Sequence, residues 1–338
     1  MDKKVDIEYI AKIAGVSRST VSRVLTHSSK VKEETRLKVE AVMEQENYRP
    51  SIVARGLATG KLNIIALIVS DIRNPFYSEL VWIINTNLRE NGYLMTLYNS
   101  SQIAGENDQH LQQLFDYGFS GIIIADARNE LSFSNLLKKA NCPIVLVNRE
   151  LDFVSQYDSI SVDNVQGGYI ATNYLIELGH RKIGMLHGPS ISTTSQGRFE
   201  GYQMAFKEHG LKLDSSYISS GNLNMESGKK YAKEVIVHSD SPPSAVFVGG
   251  DLMSYGVLDE CIRNHIRIPQ DLSIIGFDDI PFSQTSFINL TSVQHPYATI
   301  GKLVATRIIE RIEGNDEPAS KIVLAPTLEI RGTTAKVS

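Results

Sequence analysis

Long apolar runs are absent from this chain of 338 residues. A membrane-spanning helix needs about 20 consecutive apolar residues, and no run in the sequence approaches that length. The amino-terminal residues, MDKKVDIEY, also lack the apolar stretch of a signal peptide. The sequence therefore predicts a cytoplasmic protein that does not associate with a membrane.

Cysteine is scarce as well, since only Cys142 and Cys261 are present. Two thiols without a metal-ligand spacing favour neither a disulfide framework nor a zinc site. We expect both to be reduced residues of the protein core, and we expect no bound metal and no cofactor.

Patterns of catalytic residues are missing too. The carboxylates are scattered, without a second acid–base partner at a recognisable spacing. The segment GGDLMSYG is not a phosphate-binding fingerprint, and SISTTS lacks the pattern that surrounds a nucleophilic serine. The sequence therefore does not predict an enzyme.

The length of the chain suits two or three domains. Charged residues are distributed unevenly along it. Residues 1–61 contain twelve Lys and Arg against eight Asp and Glu, a net charge of +4. Residues 62–338 contain 22 against 30, a net charge of −8. A basic amino-terminal region on an acidic body concentrates any attraction for phosphate at the amino-terminal end.

Residues 6–26, DIEYIAKIAGVSRSTVSRVLT, carry two short helical patterns separated by a sharp break. Their apolar positions recur at spacings of three and four: Ile7, Ile10, Ala11 and Ala14, then Val21, Val24 and Leu25. Gly15 supplies the backbone freedom of a tight turn, and Ser17 is a good N-cap for the second helix. The segment is typical of a helix-turn-helix.

The outward face of the second helix carries short polar groups and guanidinium groups, which suits a recognition helix that reaches base edges and phosphates. The candidate DNA contacts in this helix are Ser17, Arg18, Ser19, Thr20, Ser22 and Arg23. An ordinary pair of surface helices in a small bundle would show a similar pattern.

From residue 62 onward, strand and helix patterns alternate, which predicts open α/β sheets that bind ligands at the carboxyl ends of their strands. The predicted strands are 63–69, 94–98, 121–125, 144–147, 182–187, 245–249 and 272–277. The predicted helices between them are 76–91, 106–117, 166–178, 198–209, 225–238 and 254–264. Periodicity alone leaves open whether these units form one sheet or two.

Longer segments resemble a known family. AKIAGVSRSTVSRVL, TRLKVEAV, NYRPS and ARGL are similar to the amino-terminal domain of the lactose-repressor (LacI/GalR) family. NPFYSEL, RFEGY, DLMSYG, IIGFDDIPFS and LTSVQHP follow in the order of that family's effector domain. The resemblance, which covers residues 5–332, implies a helix-turn-helix domain at 1–50, a hinge helix or linker at 51–61 and a periplasmic-binding-protein-like body at 62–338. It also implies that the body has two lobes with parallel sheets, and that the chain crosses between them near residues 160, 291 and 322.

By the same resemblance, the hinge segment SIVARGLA folds when two subunits lie side by side on an operator. Its expected DNA contacts are Ala54, Arg55 and Leu57, with Leu57 as an apolar wedge in the minor groove. Gly56 stands where relatives carry Ser or Ala and should weaken this helix by ~1 kcal/mol. A plain flexible linker is the alternative.

A cleft that binds a sugar needs carboxylates, amides, an arginine and an aromatic face. Candidates at strand ends or in the following helical turn are Phe76, Asn148, Arg149, Asp163, Thr194, Arg198, Asp251, Asp278 and His295. Several have structural alternatives. Phe76 could belong to a lobe core, Asp163 could cap the next helix, and Arg198 could form a structural ion pair. His295 stands where relatives often carry Gln, and Asp279 is expected to be a solvated or capping neighbour.

The resemblance thus implies a transcription repressor that binds a near-palindromic operator in double-stranded DNA as a homodimer, controlled by a small sugar-like effector. One alternative is a solute-binding transport protein, because the body has that fold. The basic region before residue 62 opposes it. Another alternative is a regulator with a purine or nucleoside as co-repressor, which Gly250 favours and Ser192 opposes.

Overall fold

The computed structural model describes residues 5–25, 30–48, 62–100, 107–125, 131–148 and 156–337. The first helices are α1 (Ile7–Ala14), α2 (Arg18–Leu25) and α3 (Glu33–Gln45). Asp6 caps α1 by accepting hydrogen bonds from two backbone N–H groups, and Gly15 ends it with a φ of +62°. The three helices share one small core, formed by Ile10, Ala11, Ala14, Val21, Val24 and Val39.

The rest of the described chain alternates strands and helices. The strands are β1 (Leu62–Val69), β2 (Leu94–Asn99), β3 (Phe119–Ile124), β4 (Ile144–Val147), β5 (Asp158–Val162), β6 (Ile183–His187), β7 (Ile218–Ser220), β8 (Ala245–Val248), β9 (Ser273–Asp278), β10 (Thr291–Gln294), β11 (Lys321–Leu324) and β12 (Thr327–Glu329). The helices are α4 (Pro75–Glu90), α5 (Asn107–Asp116), α6 (Leu131–Leu137), α7 (Asn164–Glu177), α8 (Thr193–Glu208), α9 (Met225–Tyr231), α10 (Asp251–Arg263) and α11 (Tyr297–Ile312).

These strands form two six-stranded sheets, one in each lobe. The amino-terminal lobe contains the sheet β11-β5-β4-β3-β1-β2, in which every neighbouring pair is parallel. The carboxyl-terminal lobe contains β12-β10-β9-β8-β6-β7, which is parallel apart from the antiparallel pair β10–β12. The predicted fold class, a helix-turn-helix region followed by two α/β lobes with parallel sheets, is confirmed.

The chain passes between the two lobes at three places. Strand β5 lies in the first sheet, whereas α7, which follows it directly, packs against β8, β10 and β12 of the second sheet. The chain returns between β10 and α11, which packs on α4, β3, β4 and β5, and leaves again between β11 and β12. Side chains at these crossings can therefore face both lobes.

Some elements differ from the sequence prediction. Helix α11 was absent from the predicted set, although it forms much of the amino-terminal lobe core through Ile300, Val304 and Ile308. The helix predicted over 225–238 changes at residue 232, where the backbone forms a π-helix over Ala232–Val237. Within the described ranges, no helix has the length and apolar composition needed to cross a membrane, and no group of metal-ligating side chains was found.

Candidate functional site

A cavity of about 370 Å³ lies where the chain first crosses between the lobes. Its polar lining includes Asn148 and Ser161 from the amino-terminal lobe and Asp163, Thr194 and Glu200 from the crossing and the carboxyl-terminal lobe. Polar groups of both lobes therefore face one partly open cavity.

Asn148 follows β4 in a left-handed conformation with a φ of +57°. Its backbone N–H donates to the carbonyl oxygen of Ile160, 2.8 Å away, which fixes the residue against β5. Only 6% of Asn148 is exposed, and its side-chain oxygen Oδ1 has no hydrogen-bond partner among the described residues. An unpaired buried oxygen is costly, so this atom is suited to accept a hydrogen bond from a ligand.

Asp163 combines a capping position with a place in the cavity wall. Its Oδ1 accepts a hydrogen bond from the backbone N–H of Gln166 at 2.8 Å, which makes it the N-cap of α7. Thr194 lies in the first turn of α8, where its hydroxyl is 2.9 Å from that of Ser192, the N-cap of α8. Both groups stand at helix N-termini, where backbone N–H groups and the helix dipole favour negatively charged and hydrogen-bond-accepting groups.

Arg198 lies beside this cavity, but the protein itself satisfies most of its donors. Its Nε donates to the side-chain oxygen of Asn164 at 2.9 Å, and its Nη1 donates to the carbonyl oxygen of Gly249 at 2.7 Å. Its Nη2 lies 3.4 Å from Asp278 Oδ1, and its guanidinium carbon lies 3.6 Å from the ring centre of Phe277. Arg198 is only 5% exposed, so it forms a buried ion pair with Asp278.

Asp278 also contacts His295. The residue ends β9 with a φ of +107°, and its Oδ1 lies 3.2 Å from His295 Nε2. The His295 ring is buried, and its Nδ1 has no partner among the described residues. Burial is the main cause that lowers the pKa of His295 below its usual value, the charge of Arg198 acts in the same direction, and Asp278 opposes them. The imidazole is therefore neutral near pH 7.

Aromatic residues of the amino-terminal lobe cover this cluster. The ring centres of Phe76 and His295 are 5.0 Å apart, and those of Phe76 and Tyr297 are 6.0 Å apart. Tyr297, the first residue of α11, donates its hydroxyl to the carbonyl oxygen of Asp278 at 3.0 Å. Sequence analysis did not single out Tyr297, because nothing in its local pattern indicates that α11 starts beside β9.

Two glycines explain how Arg198 reaches its position. Helices α7 and α8 approach so closely that a Cβ atom on Gly201 would lie 2.0 Å from the carbonyl oxygen of Val165. A Cβ atom on Gly168 would lie 2.1 Å from the carbonyl oxygen of Arg198 itself. Only glycine at these two positions permits so close an approach of α7 and α8. This approach holds the first turns of α8 against the lobe crossing.

The structure corrects the expectations for two aspartates. Asp251 is fully buried and does not line the cavity; its oxygens accept hydrogen bonds from Ser283 Oγ, Ser292 Oγ and the backbone N–H of Ile280. Burial, helped by the nearby charge of Asp278, raises the pKa of Asp251 to about 8. Asp279 is not solvated, because its Oδ1 lies 2.6 Å from Arg331 Nη1 and the residue is 2% exposed.

The candidate DNA-binding surface lies on α2. Ser17 caps this helix, with its Oγ accepting from the backbone N–H of Thr20 at 3.1 Å. Ser17, Arg18, Ser19 and Arg23 are exposed, whereas Thr20 and Ser22 are half-buried. Arg18 Nη1 lies 3.4 Å from Glu8 Oε1 in an exposed pair, which costs little to separate.

Beside α2, a groove of about 450 Å³ is lined by Arg23, Lys30 and Lys32, together with Val16, Ser17, Thr20, Val31 and Thr35. The basic groups lie next to the polar face of the helix, as phosphate contacts beside base contacts would require. Four other predicted contacts lie outside the described residues: Ala54, Arg55, Leu57 and Arg149.

Comparison with known proteins decides the family. Residues 6–51 match the model of bacterial regulatory proteins of the lacI family, and residues 172–334 match a periplasmic binding protein-like domain. The transcriptional regulator DegA of Bacillus subtilis is 30% identical over 99% of both chains. The chain belongs to the lacI family of bacterial regulatory proteins.

Further relatives agree with this assignment. The ribose operon repressor of Escherichia coli is 31% identical over 96% of this chain and 98% of the relative. A lac repressor dimer bound to operator and an anti-inducer has 25% identity and a TM-score of 0.87 over 98% of this chain and all of that one. The chain is therefore a DNA-binding transcriptional regulator with an effector-binding body, not an enzyme or a transport protein.

Proposed function

We propose that this protein is a homodimeric repressor that binds a near-palindromic operator through α2 and responds to a sugar or sugar derivative in the cavity between its lobes. Because operator DNA lies in the cytoplasm of a bacterium, the proposal locates the protein there. Residues 54, 55 and 57 are proposed to add minor-groove contacts.

The DNA-binding part rests on the exposed polar face of α2. Arg18 stands at the start of that helix with 68% of its side chain exposed, and an arginine there can hold a guanine edge with ~1–3 kcal/mol of discrimination. The ribose operon repressor and the lac repressor dimer on its operator support a repressor that acts on paired half-sites.

Selection from a pool of random DNA duplexes would yield the operator. Arg18→Ala should then relax the base preference at one symmetric pair of positions and weaken binding to the best site by ~1–3 kcal/mol. Lys12→Ala, which removes the same charge from an exposed position of α1, serves as the control and should leave the base preferences unchanged. An unaltered preference profile in Arg18→Ala would contradict the assignment of base readout to Arg18.

The effector part rests on one observation: Asn148 of the first lobe and Thr194 of the second line the same cavity. A ligand that contacts both binds best to one relative position of the lobes, and such differential affinity is what shifts a conformational equilibrium. The side-chain oxygen of Asn148, which has no partner among the described residues, and the carboxylate of Asp163 are both hydrogen-bond acceptors, which suits the hydroxyl donors of a sugar. Arg198 bonds to the cavity-lining Asn164. Asp278, His295 and Phe76 are packed in sequence behind Arg198 and do not line the cavity.

A purine effector has less support. Ser192 is buried and caps α8, so it provides a short hydroxyl where a purine-binding relative would need an arginine. Gly250 precedes α10 and contributes no side chain to the cavity. A sugar is therefore the proposed effector, and a nucleobase is an outcome that the test below would detect.

A thermal-shift panel of sugars, sugar acids, sugar phosphates and nucleobases tests the effector class. A ligand at 100 times its Kd stabilises the protein by ~2.7 kcal/mol. Asp163→Asn keeps a good N-cap but removes the carboxylate, so it should retain the ligand-free melting temperature and lose most of the ligand-induced shift. Asp240→Asn, at an exposed position, is the matched control. A ligand that stabilises Asp163→Asn as much as the wild type would contradict the site.

A further inference from the structure

One residue of the carboxyl-terminal lobe is buried inside the core of the other lobe. Ile280 follows β9 but is 0% exposed and belongs to the hydrophobic cluster that contains Phe76, Ile84 and Ile300. All other fully buried members of this cluster belong to the strands and helices of the amino-terminal lobe or to its loops. Half-buried Tyr255 of α10 packs against the same cluster.

The backbone that carries Ile280 is held firmly by its own lobe. The N–H of Ile280 donates to Asp251 Oδ2 at 3.0 Å, and the N–H of Asp279 donates to Ser292 Oγ at 3.2 Å. Asp279 also pairs with Arg331 at 2.6 Å. Asp278 and Asp279 both have positive φ values, +107° and +51°, which such surroundings must enforce. The segment therefore moves as part of the carboxyl-terminal lobe.

The two ends of this short segment face different parts of the molecule. Asp278 pairs with Arg198, which bonds to the cavity-lining Asn164. Ile280, two residues later, packs in the amino-terminal lobe. The amino-terminal lobe begins at β1, directly after the region that leads to the DNA-binding helices. Residues 278–280 thus form a rigid link between the lobes. A shift of Asp278 is transmitted through this link to the amino-terminal lobe, which carries those helices.

We propose that Ile280 couples the two lobes by packing, and that it fixes the orientation of the amino-terminal lobe to the position of residues 278–280. Close-packed interiors switch between discrete arrangements and do not deform continuously, so the lobes rearrange only when Ile280 leaves or repacks in its site. The packing role of Ile280 does not depend on the proposed function. The consequence of that packing for operator binding does rest on the proposed function.

Hydrogen exchange of the ligand-free, full-length protein, followed by mass spectrometry, tests the packing role. Ile280→Ala is compared with Ile84→Ala, which removes the same atoms from an equally buried position of the same cluster. Both variants should speed exchange in β1 and α4. Only Ile280→Ala should also speed exchange in β9 and in residues 278–284, by roughly tenfold. Equal exchange patterns in the two variants would overturn the proposal, as would a change in Ile280→Ala that is confined to one lobe.

Operator titration tests the consequence for regulation. The chain overlays on an operator-bound lac repressor with a TM-score of 0.87, and the proposal takes the arrangement that Ile280 maintains as the one that binds DNA. Affinity for the selected operator should fall about tenfold further in Ile280→Ala than in Ile84→Ala. Equal losses would overturn the coupling. Failure of the wild type to select any operator would instead refute the proposed function, and the exchange data would still decide the packing role.

If Ile280→Ala does not fold, Ile280→Val and Ile84→Val provide the same comparison with a smaller truncation. The expected result is again a change in both lobes for the first variant and in one lobe for the second. Identical exchange in the two valine variants would overturn the proposal.

Discussion

The buried pair of Arg198 and Asp278 should show strong energetic coupling in a double-mutant cycle of Arg198→Met and Asp278→Asn. The two side chains are 6% and 9% exposed, and Arg198 Nη2 lies 3.4 Å from Asp278 Oδ1. Either single change removes the ionic partner of a buried charge: the guanidinium keeps its hydrogen bonds to Asn164 and Gly249, and the carboxylate keeps His295.

The magnitude follows from the cost of an uncompensated buried charge. Breaking a buried pair on one side costs ~3–5 kcal/mol, whereas replacing both charges by neutral groups of similar volume costs much less. The double variant still loses the arginine contacts to Asn164 and Gly249, each worth ~1–2 kcal/mol. It should therefore be about as stable as either single variant, which corresponds to a coupling of ~3 kcal/mol.

Urea unfolding followed by circular dichroism reports both lobes and supplies the four free energies of unfolding. The single tryptophan, Trp82, lies on α4 of the amino-terminal lobe, so its fluorescence separates that lobe from the one that contains the pair. The carboxyl-terminal transition should shift most. Additive effects within ~0.5 kcal/mol would refute the conclusion that Arg198 and Asp278 form one electrostatic unit.

The cycle should also depend on pH through the neighbouring histidine. Arg198 is one of the groups that lower the pKa of His295, so Arg198→Met should raise that pKa. A protonated imidazole can then compensate Asp278. The loss of stability in Arg198→Met should consequently be smaller at pH 5.5 than at pH 7.5. An unchanged loss across this range would show that His295 does not take over the charge.

Two further predictions concern His295 and the packing of α8 against α7. Because the pKa of His295 is lowered from 6.5 in the folded state, the unfolded chain binds more protons below pH 6.5 and wild-type stability falls there; His295→Gln should reduce this fall, as measured by unfolding at pH 5 to 7. Gly201→Ala should push α8 from α7, because its Cβ would lie 2.0 Å from the carbonyl oxygen of Val165, and lower stability by ~1–3 kcal/mol. In Gly197→Ala the added Cβ would lie 3.1 Å from its nearest atom, so stability should fall clearly less. Thermal unfolding of both variants measures this difference.

Local patterns were sufficient to predict the helix-turn-helix. The apolar positions at helical spacing in residues 7–25 became the small core of the first three helices, and Gly15 ends α1 in the left-handed conformation that its turn requires. These features depend on neighbours within a few residues, which periodicity and capping preferences describe directly. Buried strands with a continuous apolar run, such as β4 and β8, were equally recognisable. Strand β5 is buried at every position but reads DSISV, and it was absent from the predicted set.

The site was less accessible to sequence reasoning, because its partners are far apart in the chain. Arg198 and Asp278 were expected to face a ligand from two sides, yet they contact each other. Their pairing depends on how α8 docks beside the end of β9, across 80 positions of sequence. The burial of Asp279 has the same origin, since its partner Arg331 comes from the segment after β12.

The different environments of three aspartates near β9 suggest how the effector could change without a change of fold. Asp251 has no contact with the cavity and organises the backbone around Ile280, so its replacement would disturb the link between the lobes. Asp278 joins that link to Arg198, which bonds to the cavity-lining Asn164. Asp163 instead stands at a helix N-terminus, where Asn or Ser would cap as well. If the proposed effector binds in the cavity that Asp163 and Thr194 line, substitutions at these two positions should alter which ligand is bound and leave Asp251 and Ile280 in place.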